Sequence, residues 1–173
     1  MSSDAFNGAT TLTKVSLNAE ITEIGSRCFN NCANLLSIEI PHSTTIIHDN
    51  AFANCSQLND VQFEFWEYDT SSAVRPTINF IDYYAFENSN KLTQITFPNT
   101  LNSNKCFDQN ALYRSNLSSI TLLGIHSTNI NVINTTKCFG LRKDCSIFTS
   151  NGKKYLYSNE SNTVTEDTSY KKY

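Results

Sequence analysis

Cys28-Phe29-Asn30-Asn31-Cys32-Ala33-Asn34-Leu35-Leu36-Ser37-Ile38-Glu39-Ile40-Pro41 decides how this chain folds, because its phrase recurs. The phrase is a small residue, a Phe, a polar turn, then Leu-x-x-Val/Ile-x and a large apolar residue. Upstream it reads Ala5-Phe6 with Leu12, Val15 and Leu17. Downstream it reads Ala51-Phe52 with Leu58, Val61 and Phe63, then Ala85-Phe86 with Leu92, Ile95 and Phe97. A looser copy runs Ala111-Leu112 with Leu117, Ile120 and Leu122. The spacings between successive Phe positions, with Leu112 as the last, are 23, 23, 34 and 26 residues. A unit this short cannot bury its own apolar face, so successive units must stack on one another.

A period of roughly 20–29 residues around Leu-x-x-Leu-x-Leu is the signature of a leucine-rich repeat. The expected architecture is a leucine-rich repeat solenoid, β-dominated within the α/β repeat class, with five to six repeats. The alternating end of each unit reads as a short strand, and stacking lines these strands into a parallel sheet. Val15, Leu17 and their equivalents point inward. The interleaved residues form two outward ladders: Lys14, Ser37, Asp60, Gln94, Ser119, and Ser16, Glu39, Gln62, Thr96, Thr121. A second apolar pair (Ile21 and Ile24, Ile47, Ile78 and Ile81, then Ile130 and Ile133) predicts a second short strand on the opposite side. The Ala-Phe stretch reads as a tight helical turn, too short to stand alone as a helix, with its Phe plugging the core. Pro41 and Pro98 each follow a strand and end its hydrogen bonding.

This form of repeat resembles the BspA-type leucine-rich repeat family. The likeness rests on Ile21-Thr22-Glu23-Ile24-Gly25, Cys28-Phe29-Asn30-Asn31-Cys32, the Asn34 to Pro41 segment and Ala51-Phe52-Ala53-Asn54-Cys55. It implies a non-catalytic, surface-associated protein that binds other proteins or host components. It carries over no binding residue.

The solenoid is expected over residues 1–145, interrupted by an insertion at 64–77 that lengthens the third unit. Insertions in solenoids map to loops on one face, often the binding face. This one holds the only Trp, Trp66, with Phe65 and Tyr68. The plainer alternative is a surface insertion whose aromatics pack on the neighbouring unit. Asn151-Gly152 lies between two strand-like runs and predicts a hairpin over 146–157 that closes the end of the stack. The polar segment 158–173 reads as a loose tail. The chain begins within a unit, with no capping segment before Ala5-Phe6. This predicts a piece of a longer array or a chain that self-associates end to end.

Composition narrows the function. Only 39% of residues are hydrophobic, which suits the thin cross-section of a solenoid. The net charge of −3 offers no basic excess, so nucleic acid is not an expected partner. No apolar run is long enough to span a bilayer. No signal-peptide pattern stands at the N-terminus, so the chain is either cytoplasmic or lacks its true beginning. The family resemblance implies a cell-surface or secreted location instead.

Cys28 and Cys138 occupy the position of Ala5, Ala51, Ala85 and Ala111, and Cys32 and Cys55 occupy that of Ala9 and Ser89. Small, mildly apolar side chains belong there, so buried free thiols are expected. The rival is a disulfide between Cys32 and Cys55 on adjacent units, about 4.8 Å apart. Cys106 and Cys145 fall outside the pattern. With His42, His48 and His126 the cysteines invite a zinc or Cys-His reading, but no metal-ligand spacing is present. Glu39, Asp60 and Glu64 look like a solvated face rather than a calcium site, which would need six or more converging oxygens. No glycine-rich phosphate loop occurs. Four Asn-x-Ser/Thr sequons, at Asn54, Asn116, Asn134 and Asn159, are near chance in so Asn- and Ser-rich a chain. No cofactor is expected and no enzymatic activity, a cysteine-dependent enzyme being the distant alternative.

The expected function is binding of a protein or a surface glycan. The residues expected to carry it are Lys14, Ser16, Glu39, Asp60, Gln62, Glu64, Thr96 and Thr121 on the sheet face, and Trp66 and Tyr68 in the insertion.

Overall fold

The computed structural model describes residues 1–64, 78–98, 107–108, 110–123, 140–149, 152–161 and 163–171. The expectations placed on Trp66, Tyr68, His126, Ile130, Ile133, Cys106 and Cys138 lie outside these residues. The chain is a solenoid of stacked rungs. Its main strands are β1 (Lys14–Ser16), β3 (Ser37–Ile40), β5 (Asp60–Phe63), β7 (Gln94–Phe97) and β8 (Ser119–Leu122). The opposite side carries the shorter β2 (Glu23–Ile24), β4 (Ile46–Ile47) and β6 (Phe80–Ile81), parallel and in the order β2-β4-β6. Ile24, Ile47 and Ile81 lie on this second strand set as read from the sequence, whereas Ile21 and Ile78 precede β2 and β6.

Phenylalanines from successive rungs lie one over another. Ring centroids are 5.3 Å apart for Phe6–Phe29 and Phe29–Phe52, and 5.2 Å for Phe52–Phe86. The rings are nearly parallel, tilted by 2°, 6° and 11°. A flat ring in offset stacking fits the rung spacing of about 4.8 Å, which is why Phe serves at this position. Phe29, Phe52 and Phe86 are fully buried, and Leu112 continues the column.

The Ala-Phe segment is not the helical turn read from the sequence; among the described residues no helix forms. Alternate amides leave the segment instead. The Phe29 and Asn31 amides donate to the Ala51 and Ala53 carbonyls of the next rung, at 2.8 and 2.9 Å. Between them, the Cys28, Asn30 and Cys32 amides close turns onto Gly25, Arg27 and Phe29 at 3.1, 3.1 and 3.2 Å. A helix would keep every such bond within the segment. Dividing them requires left-handed backbone two residues before and two after each Phe. These pairs are Asp4 and Gly8, Arg27 and Asn31, Asn50 and Asn54, Tyr84 and Asn88, and Asn110 and Arg114 around Leu112. Asn and Gly tolerate that conformation best, which explains the asparagine-rich corners.

Side chains reinforce these corners. Arg27 donates from Nε and Nη2 to the two carboxylate oxygens of Asp4, at 2.9 and 2.7 Å, holding the Asp4 carboxyl down at about 2. Asn88 Nδ2 donates to Asn54 Oδ1 at 2.9 Å, and Asn34 Nδ2 to the Thr10 carbonyl at 2.8 Å. Gly25 is fixed by space. A Cβ there would lie 2.6–2.8 Å from main-chain atoms of Met1, Ser2 and Ser3, which cross it directly.

After β8 the chain adds β9 (Cys145–Thr149), parallel to β8, then reverses into β10 (Lys154–Ser158) and β11 (Thr163–Glu166), both antiparallel. Gly152 has φ of 79° and its amide bonds the Thr149 carbonyl at 3.0 Å. Ile147, Tyr155, Tyr157 and Val164 extend the same core. The polar stretch expected to be loose thus supplies a strand: Val164 is buried and the rest of β11 faces outward.

Replacing Phe52 by Ala should destabilise the protein by about 3–5 kcal/mol, because it empties the middle of the column. Phe52→Leu, which copies Leu112, should cost clearly less; urea titration followed by fluorescence separates the two. At Asn31, Ala should cost about 1–2 kcal/mol for its left-handed backbone while Gly should be near neutral, measured in the same way.

Candidate functional site

The outward ladders form as the alternation predicts within each sheet. Lys14, Ser37 and Asp60 are register partners, as are Ser16, Glu39 and Gln62. Gln94 faces Ser119 and Thr96 faces Thr121, with Ser146 and Phe148 extending the two rows onto β9. Polar side chains fill these rows because the same strands spend their apolar residues on the core: Ile38, Ile40, Val61, Phe63, Ile95 and Phe97 are all buried.

The ladders are not continuous, however. The main strands form two sheets, β1-β3-β5 and β7-β8-β9-β10-β11, with no ladder between β5 and β7. A cleft of about 380 Å³ opens there, lined by Asp60, Val61, Gln62, Phe63, Gln94, Ile95 and Thr96. Expectation and structure differ for a physical reason. Phe63 and Phe97 occupy the same inward position on adjacent rungs, where other rungs carry Leu17, Ile40 and Leu122. Their rings are tilted by 50° at 5.6 Å, and Phe97 meets Phe107 edge-on at 80°. The pair does not lie flat as the Phe column does, and the ladder that accompanies the other rungs is absent here. Pro98 adds to this. Its equivalents Glu64 and Leu123 donate amides to Ile40 and Phe97 at 2.8 and 3.2 Å, and proline has no amide hydrogen to offer Phe63. The opposite side remains closed, since β4 and β6 are paired and Phe52–Phe86 keeps its normal distance.

Three expected binding residues, Asp60, Gln62 and Thr96, therefore meet at one cleft. Gln62 Nε2 donates to Asp60 Oδ2 at 2.8 Å, which orients the carboxylate. Glu39 is exposed one rung away beside Gln62, and Ser16 and Lys14 lie on the first rung. Thr121 sits on β8 next to Thr96. Glu64 leaves the group: its Oε2 lies 2.9 Å from His42 Nδ1, and that contact holds its carboxyl below the usual range. Gln94, Val61, Phe63 and Ile95 complete the cleft and were not singled out. The available signal was two successive Phe at one inward position, with Pro98 after the second.

A second exposed group also escaped the sequence reading. Tyr84 meets Tyr83 at 3.8 Å and Tyr113 at 5.3 Å with rings tilted by 46° and 45°, and the Arg114 guanidinium lies 5.0 Å from the Tyr113 ring centre. Tyr84 and Arg114 are themselves left-handed positions of two adjacent rungs, and Tyr83 and Tyr113 are their chain neighbours.

The described cysteines are packed into the core. Cys28, Cys32, Cys55 and Cys145 are free and buried, so Cys32 and Cys55 do not form a bridge. Cys32 Sγ and Cys55 Sγ donate to the Phe6 and Phe29 carbonyls of the preceding rung, at 3.1 and 3.2 Å. Burial pushes the Cys55 and Cys145 thiols up to about 12 and raises Cys28 and Cys32 as well. Ser89 stands at the same place as Cys32 and Cys55, and its buried hydroxyl has no hydrogen-bond partner. Among the described residues no three His, Cys, Asp or Glu side chains converge as a metal site would. No described helix is long and apolar enough to cross a membrane.

Stacked short parallel strands, a buried phenylalanine column and an outward polar face define a leucine-rich repeat solenoid. The chain belongs to the BspA-type leucine-rich repeat family: the model of the BspA type leucine rich repeat region matches in 6 copies across residues 1–73 and 65–160. No curated protein matches the chain in sequence. Among solved structures, a leucine rich cell surface protein from Faecalibacterium prausnitzii A2-165 is similar at 19% identity, with a TM-score of 0.43. The likeness covers 92% of this chain and 47% of that one, so the chain spans about half of that protein's length.

Because a thiolate is the species that reacts, the thiols at Cys55 and Cys145 should label very slowly with a thiol reagent at pH 8 in the native protein, and rapidly in urea. Peptide mapping of the labelled protein reads this out. One thiol reacting fast in the native state would mark a functional cysteine instead.

Proposed function

We propose that this repeat protein is a non-catalytic binding module that engages a protein partner through the outer face of its main sheets. The observation that carries the reading is the convergence of Asp60, Gln62, Gln94 and Thr96 around an open cleft on the exposed side of the strands. A solenoid's rigid stack holds such groups at fixed spacing, which lowers the entropic cost of binding. Glu39 and Asp60 give the face an acidic tint and suit a basic partner surface. Trp66 and Tyr68, which follow β5 closely in sequence, are proposed to add aromatic contacts at its border, with Lys14, Ser16 and Thr121 on the periphery.

A second reading has its own support. The first rung leaves Phe6 42% exposed, and β1 has a strand neighbour on one side only. Such an edge is a template for another strand. Assembly end to end through residues 5–17 would hide it.

Panning a displayed peptide library on the immobilised protein tests the first reading. Binders should lose at least tenfold in affinity on a combined Glu39→Lys and Asp60→Lys change, and keep it on Glu20→Lys, which lies off the sheets. Equal loss in both would sink the sheet-face reading. Assembly predicts instead a sedimentation coefficient that rises with concentration and falls back on Phe6→Glu.

A further inference from the structure

The core positions of the β1 rung are less covered than their copies on the next rung. Met1, Ala9, Leu12, Val15 and Leu17 pack against the core but are only partly buried, and Phe6 is exposed. Their equivalents 23 residues on are Ile24, Cys32, Leu35, Ile38, Ile40 and Phe29, and none of these is more than 1% exposed. The residue types are alike, so the difference is one absent layer. Such a layer would bury a contiguous apolar face and also meet the open edge of β1.

The direction of that edge is set by the rung behind it. The Thr13 carbonyl accepts from the Leu36 amide at 2.8 Å. Main-chain groups alternate direction along a strand, so Thr13 and Val15 turn theirs toward β3, and Lys14 and Ser16 turn theirs outward. Two copies of β1 can pair antiparallel with Lys14 of each opposite Ser16 of the other. Both outward residues are then bonded, about a two-fold axis at Val15. Sliding the copies one way sets Lys14 opposite Lys14, and like charges directly opposite repel. Sliding them the other way sets Lys14 opposite Asn18, which lies outside β1.

The favoured register also matches charge. Its outer row runs from the second copy's Lys14 to Ser16 and on to Glu39, because Ser16 and Glu39 are register partners. The lysine and Glu39 are two strands apart, roughly 10 Å between Cα atoms. Their long side chains bridge that span over the small Ser16, and the symmetry makes the match twice. The far end of the molecule offers no such face: among the described residues, no left-handed Phe corner and no second strand accompanies β10 and β11.

We infer that two copies of this chain pair face to face through the β1 rung, with their β1 strands antiparallel about Val15. This rests on the end-to-end reading and names its partner and geometry. The contact is self-complementary, so the assembly closes at two copies and does not grow into a filament. The two-fold axis stands normal to the sheet. The two β1-β3-β5 sheets therefore join into one, with both outer faces on the same side. The pair thereby presents two β5–β7 clefts to one partner surface, a bivalent arrangement.

Sedimentation equilibrium on the full chain, from micromolar to millimolar, reads the assembly. Monomer and dimer should be the only species. Lys14→Glu and Glu39→Lys should each raise the dimer's dissociation constant at least fivefold at low salt, because each turns an attraction into a repulsion at two symmetric places. The two changes together exchange the charges and should bring the constant back to within about twofold of the wild-type value. Val15→Cys, at the axis, should give a disulfide-linked dimer on mild oxidation, whereas Ser37→Cys on β3 should not. A double variant no tighter than the single ones, or linkage at Ser37→Cys as ready as at Val15→Cys, overturns the inference. Growth beyond two copies overturns the closed pair and leaves end-to-end assembly standing. A chain that stays monomeric at millimolar concentration overturns both.

Discussion

The structure depends on a division of the main-chain amides at each Phe corner. Half close turns within the rung and half bond to the next rung. Neither half alone would suffice: turns without cross-rung bonds give an isolated loop, and cross-rung bonds without turns give an extended strand. The left-handed residues on either side of each Phe make the division geometrically possible. The phenylalanine column then follows, because ring stacking and main-chain bonding demand nearly the same repeat distance. The third unit illustrates how firm this arrangement is. It is longer than its neighbours by an insertion, yet its Phe still meets the next at the common spacing.

The same length match explains where the stack yields. The flat pairs of the Phe column accompany bonded rungs, and the tilted Phe63–Phe97 pair accompanies the missing ladder. Phe52 over Phe86 and Phe63 over Phe97 are the same two residue types on the same two rungs, and only the second pair is tilted. The interior side of the strand therefore dictates what its exterior side presents. The polar cleft is a consequence of core packing, with Asp60, Gln62, Gln94 and Thr96 placed at its rim by ordinary strand alternation.

Most of the fold was legible in the sequence because it rests on periodicity. The Phe register, the two strand sets and the partners in each outward row all follow from spacing, and the BspA-type assignment follows from the same residues. What escaped reading depends on geometry that spacing does not encode. The turn replaced the expected helix because hydrogen bonds go to a neighbour distant in sequence. The break between β5 and β7 arose from ring orientation, and the polar segment after Ser158 found a strand partner only because the hairpin placed one beside it. Of the expected sheet-face residues, Asp60, Gln62 and Thr96 share a cleft, and Glu64 is diverted to His42.

The missing ladder also bears on how the molecule comes apart. In a linear array each layer is stabilised chiefly by the two it touches, so cooperativity is set link by link. Every link here except one has strand bonding on the main side. At β5–β7 the two blocks are joined by the Phe column, the corner amides and the opposite strands alone. Among the described rungs that seam alone lacks strand bonding on the main side. Thermal opening is therefore expected to favour a parting of an N-terminal block from a C-terminal one at this seam.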